Sequence, residues 1–176
     1  MKRIGVIGPT NTSLIESKIN LPNGTIESAA GHLGKFLAEN SFALVSVPAR
    51  GVGLWVLESY NKAKGPDALA LTPYAAEQSK EYADKVRRNA ELAHRVRDDL
   101  TWGDEPFELA KACDCLVALG LSCGTLVEMI ATKWQKGPPI YAVAAFMSQI
   151  PAEVLAEIKV IYFERLEELE AALSTL

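Results

Sequence analysis

A short loop followed by a helix holds the residues best suited to chemistry. Gly124 and Thr125 begin the predicted helix, and Glu128 lies three positions beyond Thr125, on the same side of it. Free backbone N–H groups and the positive end of the helix dipole favour a phosphate here. A carboxylate beside that phosphate can hold a ribose hydroxyl or act in glycosidic chemistry. The spacing also fits a capping box in which Thr125 and Glu128 only satisfy backbone donors, so both interpretations stay open.

Two more glycine-containing loops follow predicted strands. Arg50 lies in one of them and either binds phosphate through its guanidinium or is a solvated loop arginine. Trp55 and Trp102 flank loops and either stack on a base or anchor the core.

Glu128 is the candidate catalytic carboxylate. The candidate phosphate- or ligand-binding residues are Gly8, Pro9, Thr10, Arg50, Gly51, Gly53, Gly120, Ser122, Cys123, Gly124 and Thr125.

Apolar runs of strand length alternate with amphipathic segments along the chain. Strands are predicted at residues 4–7, 42–47, 67–71, 115–119 and 140–144, with a small edge strand at 158–162. Helical patterns cover residues 25–40, the charged segment 75–100, residues 164–173 and the segments after Gly53 and Gly124. Residues 10–24 are rich in Asn, Ser, Pro and Gly and are predicted to be an irregular loop.

This order of elements predicts an α/β fold with a doubly wound, mainly parallel sheet, in a single domain over residues 1–176. Strands that are apolar throughout are buried on both faces, and parallel strands need helical crossovers. In such sheets ligands bind outside the carboxyl ends of the strands, where the strand order reverses. The three candidate loops are therefore expected to line one crevice.

Composition and charge restrict the class of partner. The hydrophobic share of 49% and the charged share of 23% are ordinary for a globular protein, and the net charge is −4 without a long run of one sign. We therefore expect no nucleic-acid partner and no membrane partner.

The apolar stretches are too short for a transmembrane helix, which needs roughly 20 residues, or for a signal peptide, so a cytoplasmic protein is expected.

The cysteines and histidines are weaker candidates for chemistry. Cys113, Cys115 and Cys123 lack the paired spacing of a zinc site, so no metal and no cofactor is predicted. Cys123 at a helix N-terminus has the setting of a reactive thiol, but a nucleophile needs a base. Because His32 and His94 are predicted on helices remote in sequence, a packed thiol is the favoured interpretation.

The segment 120–128 resembles a known signature. It reads Gly-Leu-Ser-Cys-Gly-Thr-Leu-Val-Glu after an apolar strand. It is similar to the Pro-Gly-Gly-x-Gly-Thr-x-x-Glu motif of the LOG, or "lysine decarboxylase-like", family of Rossmann-type nucleotide-binding proteins, which includes molybdenum-cofactor carrier-like proteins. Residues 1–9 and 45–54 are similar to that family's first strand and loop and to its second strand and glycine-rich turn. The resemblance implies a Rossmann-like sheet, a small-molecule nucleotide as ligand, and a homodimer or higher homo-oligomer.

Departures from the family pattern bear on activity. Side chains stand at residues 48–50 and 121–122, where the family has glycines. In members that cleave nucleoside monophosphates, the resemblance implies that Glu128 works with an arginine from the segment before the fourth predicted strand. Residues 101–108 contain no arginine, so Arg50, Arg87 or Arg88 would have to supply the cation.

Three hypotheses about function follow. The chain binds a purine nucleotide or a related phosphorylated ligand, with LOG-like nucleoside 5'-monophosphate phosphoribohydrolase activity as its catalytic version. Alternatively it is a non-catalytic nucleotide or cofactor carrier of the same fold. In the third hypothesis it is an interaction protein without a small-molecule ligand, in which Thr125 and Glu128 only cap a helix.

Overall fold

A computed structural model describes residues 1–73, 79–135 and 137–176, which form one sheet with helices on both faces. The strands are β1 (Arg3–Ile7), β2 (Ala43–Ser46), β3 (Asp67–Leu71), β4 (Arg95–Arg97), β5 (Cys115–Ala118), β6 (Ile140–Val143) and β7 (Val160–Phe163). The α-helices are α1 (Thr12–Lys18), α2 (Thr25–Glu39), α3 (Val52–Lys62), α4 (Lys80–Ala90), α5 (Glu105–Ala112), α6 (Cys123–Ala131), α7 (Ala152–Leu155) and α8 (Leu166–Leu173). Within these ranges no helix is long and apolar enough to cross a membrane.

The strand order is β4-β3-β2-β1-β5-β6-β7, and every pairing is parallel. Strands β2, β5 and β6 are buried along their whole length, as apolar strands covered on both faces must be. Helices α2, α3 and α8 contribute to the core on one face of the sheet, and α5 and α6 to the core on the other. The predicted doubly wound, mainly parallel sheet is confirmed, and the six predicted strands agree with observed ones to within two residues at each end.

The predicted helix over residues 75–100 is wrong in its second half. Helix α4 ends at Ala90, and β4 then pairs with β3 at the edge of the sheet. Arg95 donates two hydrogen bonds to the Asp67 carboxylate, at 3.2 and 2.7 Å, and His94 Nδ1 accepts one from Ala68 N. A charged segment is compatible with an exposed helix and with an edge strand. Only pairing with a neighbouring strand, here β3, shows which of the two forms. Residues 75–78 of that prediction lie outside the described residues.

The prediction of an irregular loop over residues 10–24 is also wrong, because it contains helix α1. The side chain of Asn11 accepts a hydrogen bond from Leu14 N and caps the helix. Glu16 on α1 is only 1% exposed. Its carboxylate accepts hydrogen bonds from Gly24 N at 3.0 Å and Ile26 N at 2.7 Å, at the start of α2. Helix α1 therefore supplies a negatively charged cap to the N-terminus of α2.

Replacing Glu16 with alanine is expected to lower the free energy of unfolding by about 2 kcal/mol, because two N–H groups at the start of α2 lose their acceptor. Urea unfolding followed by circular dichroism measures this. Glu27→Ala is the matched control, since Glu27 is an exposed carboxylate in the first turn of α2. Equal losses in the two variants would contradict the capping role of Glu16.

The sheet has one point at which its strand order reverses. Strand β1 lies between β2 and β5. The chain leaves β1 toward β2 but leaves β5 toward β6, so the connections diverge at the carboxyl ends of β1 and β5. This divergence leaves a crevice in parallel sheets, and the loops at residues 8–11 and 119–122 border it.

Candidate functional site

A pocket of about 290 Å³ lies at this crevice, beyond the carboxyl ends of β1, β2 and β5. Its wall takes Gly8 and Thr10 from the loop after β1, and Arg50 and Gly53 from the segment after β2. The helix after β5 and the segment before α5 complete it. The expectation that three separate loops meet at one crevice therefore agrees with the structure.

The N-terminus of α6 forms one side of the pocket through Ser122, Gly124 and Thr125. Ser122 is the N-cap residue, and its Oγ accepts a hydrogen bond from Thr125 N at 3.2 Å. Ser122 Oγ also lies 2.9 Å from Thr125 Oγ1. The predicted capping box of Thr125 with Glu128 is therefore wrong, because Ser122 takes the cap position and leaves Glu128 free for another role. The N–H groups of Cys123 and Gly124, first in the helix, have no acceptor within it.

A second helix N-terminus borders the same pocket. Helix α3 begins after Gly51, and Gly53 in its first turn lines the pocket. Arg50 precedes this helix, is exposed and also lines the pocket. Two helix dipoles and one guanidinium thus contribute positive charge to the pocket, which favours an anion there.

The predicted ligand-binding residues fall into two groups. Those in the pocket wall are Gly8, Thr10, Arg50, Gly53, Ser122, Gly124, Thr125 and the candidate catalytic residue Glu128. Those outside the wall are Pro9, Gly51, Gly120 and Cys123.

Gly51 and Gly120 hold the loops together. Both have positive φ, +63° and +94°. An added Cβ would lie 2.5 Å from Pro9 O at Gly51 and 3.0 Å from Pro9 Cδ at Gly120. Pro9 O also accepts a hydrogen bond from Val52 N at 3.3 Å. These glycines therefore let the three loops approach one another around Pro9.

Two carboxyl groups, those of Glu105 and Glu128, also line the pocket. Glu105, the first residue of α5, is 3% exposed, and its Oε1 has no hydrogen-bond partner within the described ranges. Burial raises the pKa of Glu105 to about 7. Burial, and then the charge of Glu105, raise the pKa of Glu128 well above its usual range. Both carboxyls therefore take up a proton at higher pH than an ordinary surface carboxylate does.

The segment before α5 brings Trp102 and Glu105 to the pocket. Asp104 Oδ2 accepts hydrogen bonds from Thr101 N and Thr101 Oγ1, at 3.1 and 2.6 Å. Thr101 O accepts from Asp104 N and Glu105 N, both at 3.1 Å. These bonds close a tight turn that brings both residues to the pocket.

Glu105 and Tyr82 are pocket residues that sequence reasoning missed. The segment 101–108 does contain added acidic residues where the family has an arginine, and that was the available signal for Glu105. The pattern could not tell the buried Glu105 from Glu108, which is partly exposed and pairs with Arg97.

The remaining candidates lie away from the pocket or have other partners. Arg50 is in the wall, whereas Arg87 and Arg88 are not, and Arg87 lies 3.9 Å from Asp84. Cys123 is exposed, and neither of the chain's two histidines pairs with it: His32 lies 3.2 Å from Glu170, and His94 bonds the backbone of β3. In the part of the chain that the structure describes, no three His, Cys, Asp or Glu side chains gather as a metal site requires.

Comparisons with known proteins agree with this fold. A family model, that of the SLOG cluster4 family, matches residues 1–170. Among solved structures, TM1055 aligns with TM-score 0.73 and 18% identity over 100% of both chains. A molybdenum cofactor carrier protein from Chlamydomonas reinhardtii aligns with TM-score 0.69 and 17% identity over 99% of this chain and 96% of that one. The LOG-like, Rossmann-type resemblance is confirmed. No curated protein matches the sequence.

One comparison corrects the expected partners. DNA processing protein A from Helicobacter pylori has the same fold, and its structure is described as showing how that protein binds single-stranded DNA. It aligns with TM-score 0.65 and 13% identity over 99% of this chain and 80% of that one. The exclusion of nucleic acid is therefore wrong. The exclusion relied on the net charge of −4, which averages over the whole surface. Contacts with nucleic-acid phosphates depend instead on local groups of Lys and Arg.

Proposed function

The chain belongs to the SLOG cluster4 family, and on that premise we propose that its pocket binds a phosphorylated small molecule, a purine nucleotide or a related phosphorylated heterocycle. The protein then acts as a carrier or binding protein. The observation that carries this proposal is the meeting of two helix N-termini and Arg50 in one pocket where the strand order reverses.

The polarity of the pocket supports one orientation of the ligand. A phosphate is favoured beside Gly124, where Cys123 N and Gly124 N have no acceptor within the helix and the hydroxyls of Ser122 and Thr125 are close. Arg50 adds a positive charge to the same pocket. Glu128, one turn along α6, is expected to contact a ribose hydroxyl. The carboxyl of Glu105 repels a second anion, so the uncharged part of the ligand belongs beside it.

A carrier role is favoured over hydrolysis by the segment before α5. It contains no arginine and instead contributes the carboxyl of Glu105 to the pocket. The structural neighbours described as molybdenum cofactor carriers extend the ligand class to the molybdenum cofactor, a pterin that bears a phosphate. Nucleoside monophosphates and this cofactor share the chemistry of a phosphate joined to a nitrogen heterocycle.

The test is a ligand panel of AMP, GMP, IMP, inorganic phosphate and a single-stranded oligonucleotide. Calorimetry and thermal shift report binding, and chromatography reports free base. We expect a nucleoside monophosphate to bind and to raise the unfolding temperature, since a ligand at about 100 times its Kd adds about 2.7 kcal/mol. Failure of every member to bind would contradict nucleotide binding and leave the molybdenum cofactor or an interaction protein as the alternatives.

Hydrolysis of a nucleoside monophosphate is the second candidate function. The observation in its favour is that two carboxyls line one pocket, since glycosidic cleavage uses one protonated carboxyl as acid and one ionised carboxylate as base or nucleophile. Release of free base by the native chain, abolished by Glu128→Gln while nucleotide binding persists, would establish this activity. Base release that Glu128→Gln leaves unchanged would indicate a contaminating enzyme.

Gly124→Ala is expected to weaken nucleotide binding about tenfold while leaving the fold intact. An added Cβ at Gly124 meets only Ser122 Oγ, at 3.9 Å, so it fits the fold but lies where the phosphate approaches the helix. Gly31→Ala is the control, since its Cβ meets nothing within 4 Å and Gly31 lies on α2 outside the pocket. Both variants are expected to fold normally. Equal affinity in the two variants would contradict the phosphate position.

A further inference from the structure

We infer that Trp102 and Glu105 form the subsite for the heterocycle, with the indole N–H donating to one edge of the ring and the Glu105 carboxylate accepting from the same edge. The inference rests on the proposed function, because it assigns the end of the ligand opposite the phosphate. It predicts that the ring is recognised by hydrogen bonds along an edge and not by stacking alone.

Two buried polar atoms carry the inference. Trp102 Nε1 and Glu105 Oε1 are both buried and have no hydrogen-bond partner in residues 1–73, 79–135 and 137–176. Both residues line the pocket. The other atom of this kind in those ranges is Glu170 Oε1. It lies 3.2 Å from His32 Nε2, and neither residue lines the pocket. The pocket wall thus contains one unpaired hydrogen-bond donor and one unpaired acceptor. A ligand that carries both an acceptor and a donor would satisfy them.

The local structure holds the two side chains as a unit. They are three positions apart on the turn that Thr101 and Asp104 close with reciprocal hydrogen bonds. Further along α5, Glu108 pairs with Arg97 and ties the helix to strand β4. Because one turn carries both residues, a single small partner can reach both side chains.

A nitrogen heterocycle supplies the required complement. Purines and pterins present an N–H or NH2 donor next to a carbonyl or ring-nitrogen acceptor along one edge. The donor pairs with the carboxylate as a charge-assisted hydrogen bond, and the acceptor pairs with the indole N–H, which only donates. A sugar phosphate has no such edge. Both protein atoms are covered by their own side chains and neighbours, so contact requires the two side chains to turn toward the pocket they line.

The experiment compares AMP and IMP with ribose 5-phosphate by calorimetry, on the native chain and on Trp102→Phe and Glu105→Gln. We expect the better nucleotide to bind the native chain at least about tenfold more tightly than ribose 5-phosphate. Each variant is expected to lose about tenfold in nucleotide affinity while ribose 5-phosphate binds as well as before or better. The control is Trp55→Phe, which removes an indole N–H outside the pocket.

Ligands with a blocked edge complete the test. N1-methyl-IMP and N6,N6-dimethyl-AMP keep the aromatic ring but lose the donor, and we expect both to bind like ribose 5-phosphate. Tight binding of either, or nucleotide affinity unaffected by both variants, would overturn the inference and leave the phosphate site standing. If nucleotides, ribose 5-phosphate and inorganic phosphate all fail to bind the native chain, the proposed function fails instead.

Discussion

Replacing Glu105 with glutamine is expected to raise the free energy of unfolding by about 3 kcal/mol at pH 8. Burial raises the pKa of this carboxyl from 4.5 to about 7, and each pKa unit corresponds to about 1.36 kcal/mol. The folded chain therefore keeps a proton on Glu105 at pH values where the unfolded chain has lost it. Stability falls as pH rises from about 4.5 to about 7, and at pH 8 the full cost of an ionised, buried carboxylate is present.

Glutamine removes this cost because it stays neutral and nearly preserves the shape. The gain is expected to disappear at pH 4, where glutamic acid is protonated in both states. Urea unfolding of both proteins at pH 4, 6 and 8 measures the dependence. The variant also removes the charge that raises the pKa of Glu128, so part of the gain comes from that neighbour.

Glu108 on the same helix is the control of opposite sign. Its hydrogen bond from Arg97 lowers the pKa of its carboxyl, so its charge is favourable in the folded chain. Glu108→Gln is expected to destabilise the protein at pH 8, where Glu105→Gln stabilises it. If the stabilisation by Glu105→Gln does not increase with pH, Glu105 is not a buried, unpaired carboxyl. A residue that destabilises the fold yet lines a pocket is typical of functional sites.

Gly53→Ala is expected to lower the free energy of unfolding by about 3 kcal/mol and to abolish ligand binding. An added Cβ would lie 2.2 Å from Val47 O, a backbone atom in the segment that follows β2. Gly53 O also accepts a hydrogen bond from Ser46 Oγ at 2.5 Å, so the start of α3 cannot move away without breaking that bond. The first turn of α3 would have to shift, and with it one positive side of the pocket.

Unfolding in urea measures the loss of stability, and nucleotide titration of the folded fraction measures the loss of binding. Gly31→Ala on α2 is again the control, because its added Cβ meets no atom within 4 Å. Gly124→Ala separates the two effects, since it is expected to weaken binding without loss of stability. A Gly53→Ala protein as stable as the native chain would mean that the loop after β2 can yield, contrary to the close approach seen here.

Much of the fold follows from local patterns in the sequence. The uninterrupted apolar runs predict the buried strands, and the three- and four-residue spacing from Ile26 to Leu37 predicts α2. Alternation of the two predicts a parallel sheet, and the loops with Gly8, Arg50 and Gly124 then meet at its carboxyl edge. Each of these inferences depends on the spacing of apolar residues within one helix or one strand. That spacing can be read directly from the sequence.

The details of the site depended on contacts between residues distant in sequence. Strand β4 is defined by its pairing with β3, and the carboxylate of Glu16 on α1 accepts hydrogen bonds from the start of α2. Spacing alone suggested Thr125 as the cap of α6, and the fold assigned that position to Ser122. Spacing also could not choose between Glu105 and Glu108. The packing of α5 against the sheet buries Glu105, whose Oε1 has no partner among the described residues, while Glu108 pairs with Arg97. Burial and pairing are properties of the assembled neighbours and not of a residue's own segment.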